Sequence, residues 1–341
     1  MPIKLFLKTF ILNIKTTKNM KFMINNKLRV LVAIVCFMAS KLVAQQEQMY
    51  THYDFNSLAM NPAYTGAKRT LVATALSRVQ WANYPGAPKY QSLGIHTPIS
   101  QAPAFRDFAV GLNVQTGKIG KFAVASPFGE TEIAGNIAYH KQITRDLRLA
   151  VGLRLGAYNY RAELSKLQLQ NPTDVSYGND YSITAPLTGF GVYLYSDKFF
   201  AAISAPRMVF ISPNTTASGI NLNYISQTHY YATGGLVFDV DYDLKMKATT
   251  QIKFVNGVPM QADFNLHALY KDFGSIGAFY RTGGDIGLMA SVQLNPNFKF
   301  MYSYDSKTAP LNQYVKGSHE FGLQYMIPYK SNSRMKVPRY F

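Results

Sequence analysis

The chain has 341 residues, with 35 Lys and Arg against 18 Asp and Glu, a formal net charge of +17 and one cysteine. Eight of the bases and none of the acids fall in residues 1–44, which leaves 27 bases against 18 acids, a net of +9, over the 297 residues that follow. That scattered excess excludes the dense basic stripe of a nucleic-acid binder, and Cys36 as the sole thiol excludes a disulfide framework or cysteine-held zinc.

Residues 1–44 read as a leader. From Met20, the expected working start, a basic opening (Lys21, Lys27, Arg29) precedes the apolar run Val30–Ala39 and the small-residue end Leu42-Val43-Ala44, the pattern of a secretory signal peptide cleaved after Ala44. Ten apolar residues fall short of the ~20 that span a bilayer as a helix. Beyond the leader no stretch of 18 apolar residues occurs, so a chain of this kind enters a membrane only by strands.

Residues 45–69 follow as a turn-rich segment. Between Gln48 and Gly66, aromatics alternate irregularly with His52, Asp54, Asn56 and Asn61, and Asn61-Pro62 and Thr65-Gly66 forbid a continuous strand or helix. Tyr50, Tyr53, Phe55 and Tyr64 would form a sticky patch if exposed, which favours a segment folded back into a lumen as a plug over one free in the periplasm.

From residue 70 to 329 period-2 alternation dominates, which puts one set of side chains on each face of a strand. In 147–157, Leu147, Leu149, Val151, Leu153 and Leu155 oppose Arg148, Ala150, Gly152, Arg154 and Gly156; in 244–254 and 260–270 the pattern recurs, with Lys245, Lys247, Asp263 and His267 on the polar side. Strands are predicted near 70–82, 88–98, 107–116, 129–143, 147–162, 186–195, 198–206, 227–239, 244–255, 260–270, 273–281, 285–294, 298–305 and 318–328, about 14 in all. Tight turns fall at alternate junctions, such as 144–146 and 196–197, and the longest loops, 163–185, 207–226 and 306–317, fall between them. Short turns at one end and long loops at the other describe an all-β transmembrane antiparallel barrel. A soluble sandwich also alternates, but its strands average about five or six residues, whereas these run to the length that crosses a hydrocarbon core at a tilt. Tyr158, Tyr160, Tyr230, Tyr231, Tyr280, Tyr302 and Tyr304 stand toward strand ends, as interfacial belt residues would. A basic tail, 330–341, closes the chain.

No motif for chemistry stands out. The six histidines, His52, His96, His140, His229, His267 and His319, share no ligand-like spacing, so no metal site is expected; His140 and His267 read as solvated lumenal residues. No G-x-S-x-G elbow, P-loop or G-x-G-x-x-G is present, and no enzyme and no cofactor are expected. Gly189 and Gly191 read as strand glycines that relieve crowding. In the first hairpin, Pro85-Gly86 makes the turn and Trp81 sits at a strand end.

Several of these stretches together resemble a known family. Met49-Tyr50-Thr51-His52-Tyr53, Phe55-Asn56 and Met60-Asn61-Pro62-Ala63-Tyr64-Thr65-Gly66, followed by Arg78-Val79-Gln80-Trp81 and Gly86-Ala87-Pro88-Lys89, are similar to the start of PorP/SprF type IX secretion membrane proteins. The ending Pro338-Arg339-Tyr340-Phe341 is similar to that family's P-R-F terminus, with Tyr340 as an insertion. The resemblance implies a non-enzymatic outer-membrane barrel of a gliding or secreting Bacteroidetes-type bacterium, which exports, retains or anchors one secreted surface protein or adhesin. Other type IX secretion components, a periplasmic peptidoglycan-linked protein among them, and outer-membrane lipid are the further partners implied. It marks Asn61, Pro62, Ala63, Tyr64, Gly66, Gln80, Trp81, Gly86, Ala87, Pro88 and Lys89 as motif positions with a structural or partner-binding role. The alternative from another class is a porin or a hydrophobic small-molecule transporter of the outer membrane. The loops 163–185 and 207–226, longer than a hairpin needs, are the expected contact surface for an exported protein.

Overall fold

The computed structural model describes residues 49–99, 105–120, 128–166, 180–210, 216–217, 220–221, 228–256, 258–271, 273–307, 317–327 and 340. The leader and the greater part of the tail lie outside them, as do 167–179, 211–215, 218–219 and 222–227 of the two long loops.

Fourteen strands form the wall: β1 (Leu71–Val79), β2 (Lys89–Pro98), β3 (Phe108–Ile119), β4 (Phe128–Gln142), β5 (Arg148–Ala162), β6 (Tyr181–Tyr195), β7 (Phe199–Val209), β8 (His229–Asp239), β9 (Leu244–Val255), β10 (Val258–Tyr270), β11 (Gly274–Arg281), β12 (Asp285–Gln293), β13 (Phe298–Lys307) and β14 (Ser318–Ile327). Each pairs antiparallel with its sequence neighbours, and β1 pairs with β14 from Leu71↔Ile327 to Val79↔His319, so the sheet closes into a barrel. Closure leaves no edge, and an edge is what a strand-built protein cannot expose to lipid. A separate two-residue ladder joins Thr216–Ala217 to Ile220–Asn221 within one long loop.

The alternation in the sequence is the alternation of the wall. On β5, Leu153 is 53% and Leu155 67% exposed on the outside, while Arg154 between them is 0% exposed and points into the lumen. Leu93 and Ile95 on β2, Ile133 and Ile137 on β4, Phe264 and Leu266 on β10 and Leu288 on β12 continue the apolar exterior. Short turns gather at the end of the barrel where β1 starts and β14 stops; the β1–β2 hairpin and the long loops gather at the other.

Three expectations need correction. β6 begins at Tyr181, not at residue 186: Pro186 lies inside the strand, opposite Ala157 of β5. The β6–β7 ladder shifts register between Thr188 and Phe190, and that irregularity accommodates Pro206 near Gly189. Tyr158 and Tyr231 are buried on the lumenal face and are no part of a lipid-facing belt, whereas Tyr230, Tyr280 and Tyr304 are exposed. His140 and His267 do face the lumen, but they are buried and not solvated.

The lumen is occupied by the segment from Met49 to Thr70, most of whose residues are buried. It holds one turn of helix, α1 (Ser57–Met60), and a 3₁₀ turn, Pro62–Tyr64. Leu58, Ala63, Tyr64 and Ala67 pack with Ala150, Tyr193, Tyr195 and Phe200 of the wall. Tyr50, Tyr53, Ala59 and Met60 pack with Leu76, Tyr90 and Tyr231. Met49 lies beside Gln261 near the long-loop end of β10, and Thr70 meets Ile327 at the short-turn end, so the segment runs the length of the lumen.

Candidate functional site

The interface between this segment and the wall is where the polar residues of the chain converge. Asn61 shows how the sequence builds it. Its side chain accepts from Ala63 N–H at 2.8 Å, capping the 3₁₀ turn that Pro62 opens, and donates to the Val192 carbonyl of β6 at 3.1 Å. Two wall glycines make room: a Cβ on Gly152 would collide with the Pro62–Ala63 backbone, and one on Gly191 with Asn61 Oδ1. Gly66, at φ +78°, fits against Ala109 where a side chain would not. Its N–H donates to His96 Nδ1 at 2.9 Å, so that nitrogen carries no proton. His140 Nε2 donates to the Thr65 carbonyl at 2.7 Å, and its Nδ1 shares a hydrogen bond with the Tyr195 hydroxyl at 2.9 Å. Two histidines therefore hold the Thr65-Gly66 turn from opposite sides.

Charged groups fix the rest. Arg78 of β1 binds Asp305 of β13 at 2.6 Å and Glu320 of β14 at 3.3 Å, all three buried. Glu320 then accepts Thr51 N–H at 2.8 Å and His52 N–H at 2.7 Å. Arg154 of β5 pairs with Glu132 at 3.1 Å and Asn136 at 2.8 Å, and donates to the carbonyls of Leu58 and Ala59. These are terminal carbonyls of α1, which a one-turn helix cannot satisfy internally. Lys247 of β9 reaches Asp54 at 2.5 Å. Burial alone would raise the Asp54 carboxyl, yet the Lys247 ammonium beside it holds it below the usual carboxylate range. Toward the long-loop end, Lys253, Asp263, Arg281, Asp285 and Lys307 form a ladder of alternating sign across β9 to β13.

The second set of motif positions lies elsewhere, at the long-loop end. Gln80 N–H donates to the Pro88 carbonyl at 2.9 Å and closes the β1–β2 hairpin. Within it Ala87 N–H returns to Tyr84 O at 3.0 Å, with Pro85 and then Gly86, at φ +81°, in the middle, a type II turn. The hairpin is tied on both flanks, through Ala82 N–H to Gly317 O at 2.8 Å and Gly120 N–H to Gly86 O at 2.9 Å. Trp81, itself at φ +55°, presents its ring to Lys307 Nζ at 5.8 Å. Pro88 is buried; Tyr84, Pro85 and Lys89 are exposed. The motif positions thus fall into two groups: Asn61 to Gly66 inside the lumen, Gln80 to Lys89 at its loop end.

Sequence reasoning did not single out Glu320, Asp305, Glu132 or Asp54 as partners. For Glu320, Asp305 and Glu132 the one sequence signal is a charge on the lumenal face of a strand, and for Asp54 a charge within a turn-rich segment; what each meets depends on a register that only closure of the barrel sets. Among the described residues no three His, Asp or Glu side chains converge as a metal site.

A closed strand barrel with an apolar exterior and a filled, charge-paired interior is an outer-membrane protein. This chain belongs to the PorP/SprF family of type IX secretion system membrane proteins, whose family model matches residues 42–325. Among solved structures it is similar to the Pseudomonas putida toluene transporter TodX, at 10% identity over 82% of this chain and 94% of that one, TM-score 0.47. It is similar to a Pseudomonas aeruginosa FadL homologue, at 10% identity over 79% and 93%, TM-score 0.43. It is likewise similar to the Acinetobacter baumannii outer membrane protein Omp33, at 9% identity over 76% and 98%, TM-score 0.41. No curated protein matches it.

Proposed function

We propose that this barrel serves type IX secretion by binding, and so exporting or retaining, one secreted surface protein through its long-loop end, and that it conducts no small solute. The observation that carries this reading is the filled lumen: Met49 to Thr70 is packed against the wall and ion-paired to it through Lys247, with Arg78, Glu320 and Arg154 hydrogen-bonded to its backbone and side chains. Such an interior does little for a diffusing solute but makes a rigid base for loops, on which protein-binding surfaces ordinarily lie. On this reading Asn61, Pro62, Ala63, Tyr64 and Gly66 are structural, because they form the turn that fits the wall glycines. Gln80, Trp81, Gly86, Ala87, Pro88 and Lys89 shape a hairpin whose exposed tip, with the two long loops, now bounded by β5 and β6 at 163–180 and by β7 and β8 at 210–228, meets the exported protein. Periplasmic components of the machinery would meet the short-turn end.

The test is purification from native membranes with identification of what comes along, paired with planar-bilayer conductance. One dominant large secreted protein, lost when either long loop is deleted, together with a closed barrel, is the expected result. A stable open channel with no reproducible protein partner would refute the reading in favour of a porin or hydrophobic-solute transporter.

A further inference from the structure

The short-turn end of the lumen contains a cluster that the charge-paired interior does not account for. Lys68, Lys247 and Lys299 line one cavity of about 70 Å³ together with Asp54, His267 and Tyr340, several times the ~10–15 Å³ that one ordered water needs. Of the three ammonium groups only Lys247 has a carboxylate, Asp54 at 2.5 Å. Lys68, 9% exposed, and Lys299, half-buried with its Nζ 4.7 Å from the Phe55 ring centroid, pair with no carboxylate among the described residues. His267, 4% exposed on the same wall, has a buried Nε2 without a hydrogen-bond partner.

An unpaired ammonium withdrawn from water is costly unless a counter-charge meets it. Burial, followed by the neighbouring charges of Lys299 and Lys247, pushes the Lys68 ammonium down to about 7. The other buried charges described above each bond an opposite charge directly, whereas Lys68 and Lys299 share only Asp54, across the cavity and already bonded to Lys247. Here two cations and an unsatisfied imidazole nitrogen converge on shared space, and the Tyr340 carbonyl, accepting from Lys247 at 3.1 Å, forms one wall of it.

We propose that this cavity is a binding site for an oxyanion, a carboxylate or phosphate group, held between the ammonium groups of Lys68 and Lys299 with His267 Nε2 as a further donor. Oxyanions suit the donor set because several oxygens can be shared among separate N–H groups. The site stands apart from the surface proposed to bind an exported protein, at the opposite end of the barrel.

The full chain in a non-ionic detergent tests it. Inorganic phosphate or acetate is expected to raise the thermal unfolding midpoint by about 2–4 °C near tenfold saturation, with chloride at equal ionic strength giving no such rise. Phosphorus NMR should show phosphate broadened by the protein. Lys68→Gln and Lys299→Gln should each weaken binding by about tenfold or more, while Lys271→Gln, an exposed lysine at the same end, should not. If one lysine variant fails to fold, the other variant and the NMR signal of the unmodified chain decide. A short peptide that competes with its α-carboxylate free but not as the amide would identify a peptide terminus as the source of the anion; competition by neither form would identify a free small anion. A midpoint that does not respond to phosphate or acetate, or responds equally in both lysine variants, overturns the proposal.

Discussion

Replacing Glu320 by Ala should loosen the lumenal segment without opening the barrel. The Glu320 side chain takes no part in the β1–β14 ladder, whose hydrogen bonds are main-chain, and Arg78 keeps Asp305 at 2.6 Å after the change. What is lost is the acceptor for the N–H groups of Thr51 and His52, at 2.8 and 2.7 Å. Two buried donors left without partners cost about 1–3 kcal/mol each, so local opening of the segment should become easier by about 2–6 kcal/mol. With a factor of ten for every ~1.4 kcal/mol, amide hydrogen exchange at Thr51 and His52 should accelerate at least about thirtyfold. Amides in β1 and β14 should keep their protection, and the band should migrate as a folded barrel in cold SDS. Glu320→Gln, which retains one acceptor oxygen, should fall between. Exchange at Thr51 and His52 within about threefold of the unmodified chain, well short of the cost expected for unpaired donors, would show that this carboxylate does not hold the segment.

Three further outcomes follow from the same interior. Gly191→Ala drives a methyl group into Asn61 Oδ1 and should cost about 1–3 kcal/mol with new protease sensitivity near Asn61, whereas Gly135→Ala, whose Cβ would meet nothing nearer than the Leu155 carbonyl at 3.9 Å, should be silent. Arg154→Met removes the guanidinium that pairs with the buried Glu132 carboxylate and uncaps α1, a loss of about 3–5 kcal/mol in urea unfolding; adding Glu132→Gln should recover part of it, and strict additivity would count against the ion pair. Lys68, pushed down to about 7 in the fold against its ordinary 10.5, releases its proton earlier in the folded chain than in the unfolded one. In buffer without phosphate or carboxylate, stability should therefore rise as pH climbs from about 7 to 10.5, and Lys68→Met should flatten that rise in the urea midpoint.

The wall was legible in the sequence because lipid outside and packed protein inside impose opposite demands on alternate residues, and Leu153, Arg154 and Leu155 obey them in consecutive positions. What stayed illegible depended on what fills the lumen. Pro186 looks like a strand boundary until the register shift beside it is known. Tyr158 and Tyr231 look like belt residues because position along a strand says nothing of which face a tyrosine takes when the interior is also apolar in places. Gly152 and Gly191 announce a close approach, but not that the approaching atoms belong to Asn61, Pro62 and Ala63. The Arg78–Glu320 pair joins residues that sit far apart in the chain and become neighbours only when the last strand meets the first.

That meeting sets an order of events for the newly made chain. The acceptor for Thr51 and His52 is on β14, its guanidinium partner on β1 and the second acid on β13, so the interior segment gains these bonds only as the final hairpin arrives. Contacts of such sequence separation form slowly and repay their ordering late. Until then residues 49–70 must be kept from aggregating by whatever escorts the chain, and the same ionic cluster that completes the interior also fastens the seam. The last strand to arrive thus brings both the acid that pairs with Arg78 across the seam and the acceptor that Thr51 and His52 wait for, so closing the ring also completes the hold on what it encloses.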